Sequence, residues 1–175
     1  MTDTSGTLVW VPHAVNVWKK AAIVNKIDEQ SVQIRFTQDD DPFDKEIGQI
    51  HTFNIAEIAK LAGEVSTTAI PICNVFEKDG VDDMCTLNHL HEPAVLKNLQ
   101  LRHAQSMPYT YTGQICIAVN PYKWLDLYDN ALYPQYLQKD KNSLPPHPFA
   151  LSSHAYLDMH RHKIEQSILV SGESG

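Results

Sequence analysis

Ser167-Ile168-Leu169-Val170 is a compact apolar run, and Ser171-Gly172-Glu173-Ser174-Gly175 follows it directly. An apolar strand entering a glycine-bounded turn is how a phosphate-binding loop begins. Backbone N–H groups hold the anion there, and glycines let the chain come close to it. The complete pattern is glycine, four residues, then Gly-Lys-Ser/Thr. Gly172 is its first glycine, and Glu173, Ser174 and Gly175 are its next positions. Taken alone, these four residues read more readily as a polar turn.

The other clusters of reactive types are poorer in pattern. Cys85, His89 and His91 lie close together, and His160 and His162 form a second His-x-His. Structural zinc needs four ligands in recognisable pairs, which neither cluster supplies, so the histidines read as surface or helix-flank residues and no metal site is expected. Asp39-Asp41 reads as a solvated turn and Asp82-Asp83 as a lead-in to a helix or loop. A general acid or base would need a cleft and burial, which neither pair signals. Cys116 sits among apolar residues in a strand-like run and reads as inert core rather than nucleophile. No Gly-x-Ser-x-Gly elbow occurs.

Charge narrows the classes further. The 175 residues contain 14 Lys and Arg against 21 Asp and Glu, a formal net charge of -7. Nucleic-acid binding needs cationic surface to displace phosphate counterions, so no nucleic-acid partner is expected. The three cysteines, Cys73, Cys85 and Cys116, have no regular spacing, which argues against a disulfide framework and for a reducing compartment. No basic-flanked apolar start and no apolar run of roughly 18 residues is present. The sequence therefore predicts a chain of the cell interior without a membrane span.

The elements that must position any site fall into two parts. Leu8–Val11, Trp18–Val24, the alternating Val32, Ile34 and Phe36, and Ile50 with Thr52-Phe53 predict short strands. Strands this short and this closely spaced suggest a small closed or half-closed barrel. Ile55, Ile58, Ala59 and Leu61 fit a short helical face, and residues 61–80 read as a linker that partly packs. From Val81 the pattern changes. Pro93 suits the first turn of a helix, with Val95, Leu96 and Leu99 on one face. Tyr109–Thr112 and Gln114–Val119 predict two strands turned at Gly113. Ser152 or Ser153 can cap a helix running to about Lys163, with Ala155, Tyr156 and Met159 on its inner face. Ser167–Val170, apolar on both faces, predicts a strand of parallel-sheet type.

In order and spacing, residues 81–175 resemble the opening of a myosin motor domain. Four blocks carry the resemblance: Asp83-Met84 through Glu92-Pro93-Ala94-Val95-Leu96 to Asn98-Leu99; Tyr109-Thr110-Tyr111-Thr112-Gly113 leading to Asn120-Pro121-Tyr122-Lys123-Trp124-Leu125 and Tyr128; Pro146-His147 with Phe149-Ala150, Ser152 and Ala155-Tyr156; and Gln166 through Gly175. Val9-Trp10-Val11 and Trp18 with Ala21 look, more loosely, like the SH3-like barrel that precedes many such motors.

The resemblance implies a fold: a small all-β SH3-like barrel followed by an incomplete α/β P-loop NTPase core of the myosin motor type. Its domains would be residues 1–60 as the barrel, 61–80 as the linker and 81–175 as the start of the motor. It also implies a function, that of an actin-based motor of the cytoplasm and cytoskeleton that binds and hydrolyses ATP with Mg²⁺. Actin filaments, and light chains or calmodulin, would be its partners through regions outside these residues. By the same resemblance Asn120, Pro121, Tyr122, Lys123, Trp124 and Tyr128 would line the adenine, and Gly172, Glu173, Ser174 and Gly175 would wrap the phosphates. Asp126 stands where many family members carry proline. Residue types alone also allow Tyr122, Trp124 and Tyr128 to be packing residues. Neither the loop's lysine nor its magnesium-binding hydroxyl is among the 175 residues. The chain by itself is therefore expected to be inactive, with no catalytic residue of its own. The alternative is a stand-alone SH3-like protein-interaction module without ATPase activity.

Overall fold

The structure is a computed structural model, and it describes residues 5–37, 44–63, 69–139 and 143–172. The acidic turn expected at Asp39–Asp41 lies outside the described residues, as do Glu173, Ser174 and Gly175. The chain divides into two compact units. Residues up to 77 together with 87–98 form the first, and 78–86 together with the residues from 99 onward form the second.

In the first unit, β1 (Leu8–His13), β2 (Val17–Lys26), β3 (Ser31–Phe36) and β4 (Ile50–Asn54) form one antiparallel sheet in the order β1-β2-β3-β4. The alternation seen in the sequence sets its faces. Val32, Ile34 and Phe36 are buried while Arg35 is exposed. Side chains two apart share a face, so a one-residue slip would turn this set outward. A bulge between Ile23 and Asn25 shifts the register of β2 on β3. α1 (Ile55–Leu61) follows β4 at once. The Asn54 carboxamide oxygen accepts from Glu57 N at 3.2 Å and caps it, and Ile55, Ile58 and Ala59 turn inward.

The stretch 69–73 runs along the free side of β1. Trp10 N donates to Pro71 O and Cys73 N to Leu8 O, each at 2.9 Å. Such pairing blunts an edge that would otherwise offer unpaired backbone groups. It also explains why Trp10 is buried together with Val9 and Val11.

A buried ammonium ties the turn before β4 to β2. Lys19 Nζ lies 2.6 Å from Asp44 Oδ2 and 2.5 Å from Glu46 Oε2, and 4.5 Å from the centre of the Phe36 ring. Burial pulls the Lys19 ammonium down, but the hydrogen bonds and charges of Asp44 and Glu46 outweigh it and leave it above its ordinary value.

α2 (Glu92–Ala104) starts with Pro93 in its first turn, as the sequence predicts. Of the expected face, Val95 and Leu99 are half-buried and only Leu96 is exposed, but the fully buried stripe lies elsewhere. Ala94, Asn98 and Arg102 are buried. The i, i+4, i+8 spacing is helical, but two of the three residues are polar and so escape a search for apolar periodicity.

The second unit holds a 3-10 turn at Met84–Thr86, the hairpin β5 (Tyr109–Thr112) and β6 (Ile115–Ala118), α3 (Tyr133–Gln138) and α4 (Pro148–His162). The hairpin turns at Gly113, whose φ of +59° is open to glycine at no steric cost. Asp83 fastens it: one carboxylate oxygen accepts from Gly113 N at 3.1 Å and from Cys85 N at 3.0 Å.

Two expectations for the second unit are corrected. α4 begins at Pro148 rather than after Ser152 or Ser153. The His147 side chain caps it, accepting from Phe149 N at 3.0 Å. Proline at the first helical position needs no N–H partner and forces the residue before it into extended backbone, so His147 rather than a serine stands at the cap. The inner face of α4 is Ala150 and Ser153, with Tyr156 and Met159 exposed.

The second correction concerns Ser167–Val170, which is not a strand. Residues 163–172 carry no regular secondary structure, and Leu169 and Val170 are 91% and 90% exposed. A parallel-type strand needs hydrogen-bonded neighbours and cover on both faces, and none of the described residues supplies them.

Candidate functional site

The residues expected to line a purine lie on the loop leaving β6. Val119 N donates to Pro108 O at 2.8 Å, so the loop starts flush with the strand opposite. Asn120 Oδ1 then accepts from Tyr122 N at 2.8 Å, a side-chain-closed turn that asparagine favours. Tyr122 takes a φ of +50°, a left-handed conformation uncommon for a bulky residue. Tyr122 is 90% exposed, and Trp124 is fully exposed.

The C-terminal end of α2 and the turn after it hold the first half of the loop. Lys123 Nζ donates to Ser106 Oγ at 3.1 Å, and His103 Nε2 lies 3.3 Å from Asn120 O. A cluster of rings holds the second half. The hydroxyls of Tyr109 and Tyr128 share a hydrogen bond, and His147 Nε2 lies 2.9 Å from Leu127 O. The Tyr128 ring meets His147 and Phe149 edge-on, with centroids 5.4 and 6.1 Å away. The structure thus pins the loop at both ends and leaves the faces of Tyr122 and Trp124 open between them. Flat, solvent-facing aromatic surfaces suit a planar ring stacked on them.

Electrostatics in the ring cluster favour neutral groups. Burial pushes the Tyr111 phenol up to about 12. Tyr109 is raised too, first by burial and then by its bond to Tyr128. Burial holds His147 below its ordinary value, and its bond to the Leu127 carbonyl only partly opposes this. Because Nδ1 accepts from Phe149 N, Nε2 carries the proton and donates to Leu127 O. Protonating His147 would turn Nδ1 into a donor facing an N–H. The neutral folded form therefore contributes stability that is full above the ordinary histidine value of 6.5 and is lost as pH falls through the lower folded value. Unfolding midpoints should drop between about pH 7.5 and pH 5, and the drop should be smaller in His147→Gln. Equal pH dependence of the two proteins would contradict this assignment.

The remaining candidates fall elsewhere. Gly172 is exposed and lies in the irregular stretch after α4, and its three partners are outside the described residues. His91 caps α2 through Nδ1, which accepts from Ala94 N at 3.2 Å, and its Nε2 lies 2.8 Å from Ile72 O. Among the described residues no three His, Cys, Asp or Glu side chains converge as a metal site would require, and no helix is long and apolar enough to cross a membrane. A cavity of about 190 Å³ between α3 and α4 is lined by Lys139, Ser153, His154, Asp158 and Arg161 among others, and includes none of residues 120–128. Its mixed charges select no ligand, whereas the loop offers the exposed aromatic residues Tyr122 and Trp124. Tyr109, His103, Ser106 and His147 were not singled out as site residues by sequence. The alternation in Tyr109-Thr110-Tyr111-Thr112 and the histidine before Pro148 were the available signals.

The family model for the myosin head, its motor domain, matches residues 81–175, more than half of the chain. The chain belongs to the myosin head family.

Proposed function

We propose that this chain is the N-terminal part of an actin-based motor that binds and hydrolyses MgATP. In this reading the first unit is the SH3-like barrel before the motor. The loop from Asn120 to Tyr128 walls the adenine, and Gly172, Glu173, Ser174 and Gly175 wrap the phosphates through backbone N–H groups. Membership of the myosin head family supports it, and the open ring faces of Tyr122 and Trp124, on a loop held at both ends, carry it. Asn120 Oδ1 is engaged by its own turn, so the base would be gripped by its faces more than by its edge. When bound, Mg²⁺ would neutralise phosphate charge. None of the residues described here is placed to ligate it, and no step is assigned to it.

The test is a titration of the ¹⁵N-labelled chain with MgATP. Stacking one base is worth about 1–3 kcal/mol, so weak binding with a dissociation constant of roughly 6–200 mM is expected. Amide shifts should move at 119–128 and at the Trp124 indole, while the indoles of Trp10 and Trp18, both in the first unit's core, stay fixed. Absence of any shift in the loop at about 100 mM MgATP would sink the proposal.

A further inference from the structure

We infer that His147 is the positioning residue of this loop: its imidazole fixes Leu127, and through it sets the ring of Tyr128 against the bound base. The second half of that statement rests on the nucleotide reading above; the first half does not.

The placement of His147 is over-determined. It is 3% exposed. Its backbone N donates to Tyr111 Oη at 3.0 Å, and that hydroxyl donates back to His147 O at 3.3 Å. Its ring lies among Tyr109, Tyr136 and Phe149, with centroids 5.4, 5.2 and 4.3 Å away. β5, α3 and α4 thus all hold this one side chain.

Its two nitrogens then do separate jobs. Nδ1 closes the first turn of α4 on Phe149 N, and Nε2 reaches out to Leu127 O, in a stretch with no regular backbone pairing of its own. Capping alone would need only Nδ1, and a serine, asparagine or aspartate could do it. An imidazole adds a donor on the far side of the ring, aimed at the loop. Tyr128 follows Leu127 directly, so the carbonyl that His147 holds belongs to the peptide unit leading into the base wall.

Two substitutions separate the jobs. His147→Asn puts an acceptor where Nδ1 stands and leaves nothing to reach Leu127. His147→Gln puts an N–H donor near the position of Nε2 and lacks the cap acceptor. Both are made in the full 175-residue chain and read first without nucleotide, by amide shifts and hydrogen exchange. In the wild type, imidazole ¹⁵N shifts should report a neutral ring protonated at Nε2. In His147→Asn the amides of Phe149–Leu151 should stay protected while those of Leu127 and Tyr128 shift and exchange faster. In His147→Gln the loop should keep wild-type shifts while the first turn of α4 frays.

MgATP is then added. His147→Asn should weaken its binding about tenfold, the net worth of roughly one hydrogen bond, and His147→Gln should restore it. Wild-type loop shifts in the Asn variant, or equal damage to loop and helix in both variants, would overturn the inference. A wild-type chain that ignores MgATP but shows the Asn/Gln split would overturn the nucleotide reading and leave His147 as the loop's positioning residue.

Discussion

Ile34→Ala should unfold the first unit at or near ambient temperature. Ile34 is fully buried at the middle of β3, paired with Ile23 on one side and His51 on the other. Val9, Val11, Val32, Ile55 and Ile58 in the same core are also sealed from solvent, so the neighbours have little freedom to collapse into the space left behind. A core isoleucine cut to alanine costs about 2–5 kcal/mol, and a tightly enclosed site belongs at the upper end. In a unit of roughly 60–100 residues, each kcal/mol moves the midpoint by about 4–8 °C. Arg35→Ala, one residue along on the exposed face, should change stability by less than about 0.5 kcal/mol. The emission of Trp10 and Trp18, both inside this core, follows the transition directly. Equal midpoints for the two variants would mean that β3 is not seated as the alternation of its side chains requires.

That alternation is why the first unit was legible from sequence. Val32, Ile34 and Phe36 alternate with Gln33 and Arg35, and a period of two has one structural meaning. The face of α1 at Ile55, Ile58 and Ala59 was legible from its helical i, i+3, i+4 spacing, although Leu61, expected on the same face, is exposed. Legibility failed where polar atoms decide. The buried stripe of α2 contains Asn98 and Arg102, which no hydrophobic pattern selects. The start of α4 is decided by His147 acting as a cap, a role that serine fills more commonly. Ser167–Val170 failed for a different reason: an apolar run states what it could bury and not whether a partner strand is present. The loop residues 120–128 were named through family resemblance, but the groups that hold them were not. Those groups lie far away in sequence, 20 residues for His147 from Leu127, and only the fold brings them together.

Tyr111→Ala should be the most damaging single change in the second unit, and Tyr111→Phe should show why. Tyr111 is buried on β5, packed with Tyr136 and Ala150, and its hydroxyl serves both the N–H and the C=O of His147. Removing the ring opens a cavity costing about 3–5 kcal/mol. The phenylalanine variant keeps the ring and removes only the oxygen. The His147 N–H then loses its acceptor in a buried place, a cost of about 1–3 kcal/mol. The damage should also have a direction. The hydroxyl holds the backbone of His147, and the His147 ring holds Leu127, so Tyr111→Phe should loosen residues 125–128 while the β5–β6 hairpin keeps its pairing. Chemical denaturation gives the two costs, and hydrogen exchange on Tyr111→Phe gives their location. A phenylalanine variant as stable as wild type would show that the hydroxyl carries no load. One that loses the hairpin together with the loop would show that Tyr111 supports the unit as a whole rather than the corner that sets the loop.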